Sequence, residues 1–265
     1  MFEATLDEGD VFKKLIAAIG DLVNDANFDC SQEGIRVQAM DSSHVSLVNL
    51  YLSATSFSNF KCDAQHTLGI NFSALNKVLK CSKPKDSITM RHEDDSDTLS
   101  LIFSDENDER TLSFELKLMD IDSERLVIPD TEYRATIRMS SKEFKTVCTD
   151  FQSIGESLGI ACSKEAVRFT LNGEIGVGQV TYKHNANVDD IDELDKHPNN
   201  VLIRCEEAIA QNFAIRYLSY FTKATSLSKS VTLFMSADVP LVTEYKIDDI
   251  GHLKYYLAPK IDDEE

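Results

Sequence analysis

The chain has 265 residues, 42% hydrophobic and 27% charged, which is enough apolar material for a core and too much for wholesale disorder. Asp and Glu outnumber Lys and Arg by 45 to 27, a net charge of −18, so nucleic acid is repelled unless the cations gather on one surface. The acidic opening MFEATLDEGD lacks the apolar stretch of a secretion signal, no apolar run nears the ~20 residues that span a bilayer, and the six cysteines form no CxxC; the expectation is an intracellular protein with no membrane partner and reduced thiols.

In chain order, Phe12, Leu15, Ile16 and Ile19 recur at helical spacing, with Lys14 and Ala17 on the opposite face and Asp10 as a candidate N-cap. Leu75, Val78 and Leu79 mark a second short helix, capped by Ser73 and carrying Lys77 and Lys80 opposite its apolar stripe. From Ser73 to Lys83 there are three lysines and no acid. Strand-like alternation follows over Leu99–Phe103 and over Thr111–Leu118, where Leu112, Phe114, Leu116 and Leu118 share a face. Met119–Arg134, with weak periodicity, several charges and Pro129, reads as an extended connector. Ser140–Glu143 has the capping-box spacing and opens a third helix on Phe144, Val147, Cys148 and Phe151, with Thr149 opposite. The polar, acidic stretch 184–200 reads as a loop insertion, and Ala214, Tyr217, Leu218 and Phe221 mark a fourth helix with Arg216 and Lys223 on its other face.

The chain also repeats itself. CSQEGIRV at 30–37 returns as CSKEAVRF at 162–169, an offset of 132 residues that also aligns Phe12-Lys13 with Phe144-Lys145. SITM at 87–90 returns as SVTL at 230–233, an offset of 143. Two tandem copies of one fold, the second longer by 11 residues in the 184–200 stretch, account for both offsets. Acids cluster in 93–97, 105–109, 189–195 and the tail, while cations concentrate on the helices. Lysines on one solvated helix face are ordinary; the same bias on three of four equivalent helices of an acidic chain points to an anionic partner. No P-loop, HExxH, GxSxG or metal-spaced Cys/His set is present, so no catalytic residue, no metal and no cofactor is expected.

MFEA at the start, MDSSHVSLV (40–48), KLMDID (117–122), FTKAT (221–225), FMSADVPLV (234–242), EYKI (244–247) and GHLKYYLAPKI (251–261) resemble the PCNA family, the eukaryotic DNA sliding clamps, from end to end apart from 184–200. The resemblance implies an α+β DNA-clamp fold: two tandem like-folded domains at 1–118 and 135–258, a connector at 119–134, and an acidic tail at 259–265. It also implies sheets outside, two short helices per domain inside, and a closed homotrimeric ring around double-stranded DNA. Such a ring, itself without catalytic activity, is a nuclear processivity factor. By the resemblance its partners are DNA polymerase delta, flap endonuclease, DNA ligase and the clamp loader, bound through short PIP-type peptides.

The same resemblance carries over site residues. DNA-facing cations are Lys13, Lys14, Lys77, Lys80, Arg216 and Lys223; Gly20 and Thr149 stand where many relatives carry Lys and Arg. The partner pocket takes Met40, His44, Leu126, Ile128, Tyr133, Pro240 and Tyr256, bordered by Val45, Leu47, Ala258 and Pro259. Subunits meet through Thr111–Lys117 (Thr111, Phe114, Leu116) against Glu174–Lys183 (Gly176, Gly178, Val180). Lys164 matches the ubiquitin and SUMO acceptor. The competing readings are a checkpoint-clamp subunit and an acidic scaffold that never touches DNA.

Overall fold

The structure is a computed structural model that describes residues 1–107, 109–122, 126–129, 131–185 and 200–260. Most of the expected insertion and the acidic end, 186–199 and 261–265, lie outside the described residues. The first half runs β1 (Phe2–Leu6), α1 (Gly9–Gly20), β2 (Asp25–Ser31), β3 (Gly34–Met40), β4 (Ser46–Ser53), β5 (Asn59–Cys62), β6 (His66–Asn71), α2 (Phe72–Leu79), β7 (Ser87–His92), β8 (Thr98–Ser104) and β9 (Thr111–Lys117). The second half repeats that order: β10 (Ala135–Ser140), α3 (Ser141–Gln152), β11 (Ser157–Cys162), β12 (Ala166–Gly173), β13 (Gly176–Lys183), β14 (Leu202–Cys205), β15 (Ile209–Ala214), α4 (Ile215–Phe221), β16 (Ser230–Met235), β17 (Leu241–Ile247) and β18 (Gly251–Leu257). The strand starts carry the two sequence offsets: β2 to β11 is 132 residues, and β5 to β14 is 143.

The chain packs as two compact units, Met1–Ser42 with Val48–Val127 and Ile247–Leu253, and Ser43–Leu47 with Ile128–Lys246 and Lys254–Glu265. In the first, one sheet has the order β5-β1-β7-β8-β9, and the strands β6-β2-β3 continue to the Val48–Ser53 part of β4. In the second, β13-β12-β11-β15 form a four-stranded sheet, and β14-β10-β16-β17 continue to the Lys254–Leu257 part of β18. Most of the paired strands show the alternating burial expected of sheets covered on one face, as in β8 and β16.

The helices cover those faces. Phe12, Leu15, Ile16 and Ile19 of α1 are fully buried, each worth about 1.5–3 kcal/mol over an exposed position. Phe12 meets Phe28 edge-on at 6.5 Å, and Phe28 meets Phe72 of α2 at 6.1 Å. In the second unit Phe144 of α3 lies 6.4 Å from Phe169, and Phe221 of α4 stacks on Tyr255 at 4.4 Å. Val78 and Phe151, at the margins of their stripes, are half-buried.

The caps differ from expectation. Helix α1 starts two residues earlier than a cap at Asp10 requires, so Asp10 lies in its first turn, where a carboxylate suits the helix dipole and pairs with Lys14. Asn71, not Ser73, caps α2: its Oδ1 accepts the Ala74 N–H at 2.8 Å while its Nδ2 donates to Asp25 at 2.6 Å. Ser140 sits at the N-cap of α3 with no side-chain cap bond, and the Glu143 carboxylate accepts Tyr182 Oη–H at 3.2 Å instead, so the capping box does not close. Asn71→Ala is therefore expected to cost about 1 kcal/mol, read as a lowered urea midpoint, whereas Ser73→Ala should leave that midpoint in place.

Candidate functional site

Each unit sets its two helices side by side, α1 against α2 and α3 against α4. This brings Lys13, Lys14, Lys77 and Lys80 onto one helical layer. Lys13 is half-buried and its Nζ donates to the Ser82 carbonyl at 3.3 Å. Lys14 is exposed but paired at 2.6 Å with Asp10, one turn back. Lys77, in the last turn of α2, and Lys80, at its C-cap, are exposed and carry no ion pair among the described residues. Cations at a helix C-terminus also favour the dipole. A Cβ on Gly20 would stand 2.6 Å from Asn76 Nδ2, so a lysine there requires the Asn76 side chain of α2 to move. That contact gives the glycine a local packing role.

In the second unit Arg216 is exposed on α4, its guanidinium held 4.8 Å over the Tyr217 ring and donating to Tyr217 Oη at 3.2 Å. Lys223 is not on the helix: it lies in the 3₁₀ turn Thr222–Ser226 that follows α4, because the backbone tightens after Phe221. Helix α3 exposes Lys142 and Lys145 together with Asp150, and Glu143 is half-exposed beside them, so its face is close to neutral.

Of the expected partner-binding residues, Met40 and Leu126 belong to the first unit and the rest to the second. Met40 is half-exposed at the end of β3. Leu126 is 46% exposed and Val127 93%, an unusual state for large apolar side chains. The Leu126 backbone is pinned at both polar atoms: its N–H donates to Gln38 Oε1 at 2.7 Å and its carbonyl accepts Gln38 Nε2–H at 3.0 Å. In the second unit Ile128 is half-buried, Pro240 exposed and Tyr256 half-buried. Tyr133 packs 5.6 Å from Phe234, and burial raises its phenol pKa. His44 is exposed with φ of 56°, a left-handed conformation that costs most residues free energy. Ala258 and Pro259 follow β18; the Ala258 N–H donates to the Val45 carbonyl at 3.1 Å and the Lys260 N–H to the Asn212 carbonyl at 2.7 Å. Those two bonds fix the segment while leaving Ala258 exposed. Leu47 is buried.

The two expected subunit edges are edge strands. β9 ends its sheet, with Thr111 exposed, Phe114 half-buried 6.2 Å from Phe103, and Leu116 buried. Arg110, just before it, donates to the buried Asp86 carboxylate at 3.0 Å, and the same Asp86 oxygen accepts the Lys83 N–H at 2.8 Å. β13 ends the other sheet and begins at Gly176 rather than Glu174. Gly176 has φ of 150°, which favours glycine, whereas a Cβ on Gly178 would make only ordinary contact with the Phe151 ring at 3.6 Å. Val180 is half-buried, but Ile175 and Val177 are 80% and 78% exposed beside unpaired backbone. An apolar edge of this kind is a template for strand pairing.

Lys164 is exposed in the turn between β11 and β12, where Ser163 Oγ accepts the Glu165 and Ala166 N–H groups at 3.3 Å each. The Gln38 clamp, the Asp86–Arg110 pair and the Arg216–Tyr217 contact have no sequence motif. Adjacency of Arg216 and Tyr217 is the one signal the chain itself offers. Among the described residues no helix is long and apolar enough to cross a membrane.

Two tandem copies of one unit, each with a five-strand run, a four-strand run and a pair of short helices, are the build of a DNA sliding clamp. The family model for the proliferating cell nuclear antigen N-terminal domain matches residues 1–125, and that for its C-terminal domain matches residues 127–260. The chain belongs to the proliferating cell nuclear antigen family, the non-enzymatic clamps of DNA replication and repair.

Proposed function

We propose that three copies of the chain close head to tail, β9 of one against β13 of the next, into a ring that encircles double-stranded DNA. The cations Lys13, Lys14, Lys77, Lys80 and Arg216 of the helices and their ends, with Lys223 in the turn after α4, meet the phosphates. Weak contacts of this kind let the ring slide, since topology and not affinity holds it. The observation that carries the reading is the pair of unneutralised lysines, Lys77 and Lys80, on an acid-free helix of a chain with net charge −18. The excess negative charge elsewhere discourages DNA from the remaining surface.

Within that reading, Met40, His44, Leu126, Ile128, Tyr133, Pro240, Tyr256, Ala258 and Pro259 take short partner peptides with aromatic or aliphatic anchors. Partners are DNA polymerase delta, flap endonuclease, DNA ligase and the clamp loader. Lys164 accepts ubiquitin or SUMO, which would recruit translesion polymerases, and the site of action is the nucleus. The test is retention after loading by a clamp loader. The protein is expected to stay on closed circular DNA through a high-salt wash and to run off when the circle is cut. Equal loss from both forms would contradict encirclement.

A further inference from the structure

Each half of the chain carries one cysteine pair at the same place in the fold. Cys30 and Cys162 lie at the ends of β2 and β11, separated by the first repeat offset of 132; Cys62 and Cys205 end β5 and β14, separated by the second, 143. The local contacts repeat as well: Cys62 Sγ–H donates to the Ala64 carbonyl at 3.0 Å, and Cys205 Sγ–H to the Glu207 carbonyl at 3.0 Å. The halves differ in access. Cys205 Sγ lies 3.8 Å from the Cys162 carbonyl oxygen, which sets the two cysteines side by side. Cys30 and Cys62 are both buried, whereas Cys205 is half-exposed on the edge strand β14.

We propose that Cys162 and Cys205 form a reversible disulfide when the protein meets a peroxide. The Cys205 thiolate attacks one peroxide oxygen; the O–O bond breaks, the leaving hydroxide takes a proton, and Cys205 becomes a sulfenic acid. The Cys162 sulfur then attacks the Cys205 sulfur, its proton leaving with the departing hydroxide as water. One peroxide is reduced to two waters, and two thiols are oxidised to one disulfide with loss of two electrons and two protons. Burial, and then the neighbouring Cys205, push the Cys162 thiol up to about 12, so Cys162 is the resolving partner and not the first to react. In a reducing compartment such a bond is transient and senses oxidant. It ties β11 to β14 and closes the stretch of chain that contains the acidic residues 189–195.

The experiment uses the full chain in a Cys81→Ser background, because Cys81 is exposed and would cross-link copies. After treatment with hydrogen peroxide and thiol alkylation, peptide mass mapping should find the Cys162 and Cys205 peptides joined and lighter by two hydrogens. Dithiothreitol should separate them. In Cys162→Ser, Cys205 should be trapped by dimedone; in Cys205→Ser, neither product should form. The oxidised protein should melt at a higher temperature than the reduced one. Separate alkylation of both residues, overoxidation of Cys205 without cross-linking, or earlier closure of Cys30 with Cys62 would each overturn the proposal.

Discussion

Lys77→Glu with Lys80→Glu is expected to reduce loading on DNA sharply while leaving assembly intact. Both side chains project from an α2 whose buried face is Phe72, Leu75 and Leu79, so the reversal changes no core contact. Each lost phosphate contact removes about 0.9 from the slope of log affinity against log salt, so the double reversal flattens that slope by about 2 per chain. Two new repulsions add to the loss. Lys14→Glu should do less, because Lys14 already spends part of its charge on Asp10, an exposed pair worth about 0.3–0.5 kcal/mol. Loading measured across a salt series decides it. An unchanged slope would mean that these helix faces do not meet the phosphates.

Leu126→Ala with Ile128→Ala should abolish binding of a partner peptide in fluorescence polarisation. Leu126 is held in place by the two Gln38 hydrogen bonds to its backbone, which truncation of the side chain leaves intact. The change therefore removes apolar surface and not the fold. Burying a leucine or isoleucine against a partner is worth about 1.5–3 kcal/mol, so the pair accounts for about 100-fold or more in affinity. Unchanged melting with retained affinity would show that peptides do not dock there. Gln38→Ala, which frees the Leu126 backbone, should weaken binding by a smaller factor.

The tandem organisation was legible because similar segments recur at two offsets, and the structure repeats β and α elements at those same offsets. Helix positions were legible for a related reason: residues such as Phe12, Leu15, Ile16 and Ile19 have one arrangement that buries them all. End effects were not. Ser73 and Asn71 are both competent caps, and the choice falls to Asn71 because Asp25 holds its amide. Lys223 fits a helical wheel continued past Phe221, but the chain tightens into a 3₁₀ turn there, which side-chain periodicity does not encode. Long-range polar contacts were the least legible. Nothing local marks Gln38 as the clamp on Leu126, 88 residues away, or Asp86 as the buried anchor of Arg110. The cation-bearing faces stood out from charge segregation alone, whereas the partner-binding and edge-strand residues came through resemblance to the family.

The most direct measurement is the solution mass of the purified chain, alone, at low micromolar concentration. Closure of β9 against β13 predicts three times the 29.7 kDa chain mass, retained on dilution. A mass of one chain under those conditions would contradict the ring, and with it the reading of the lysines as its inner lining.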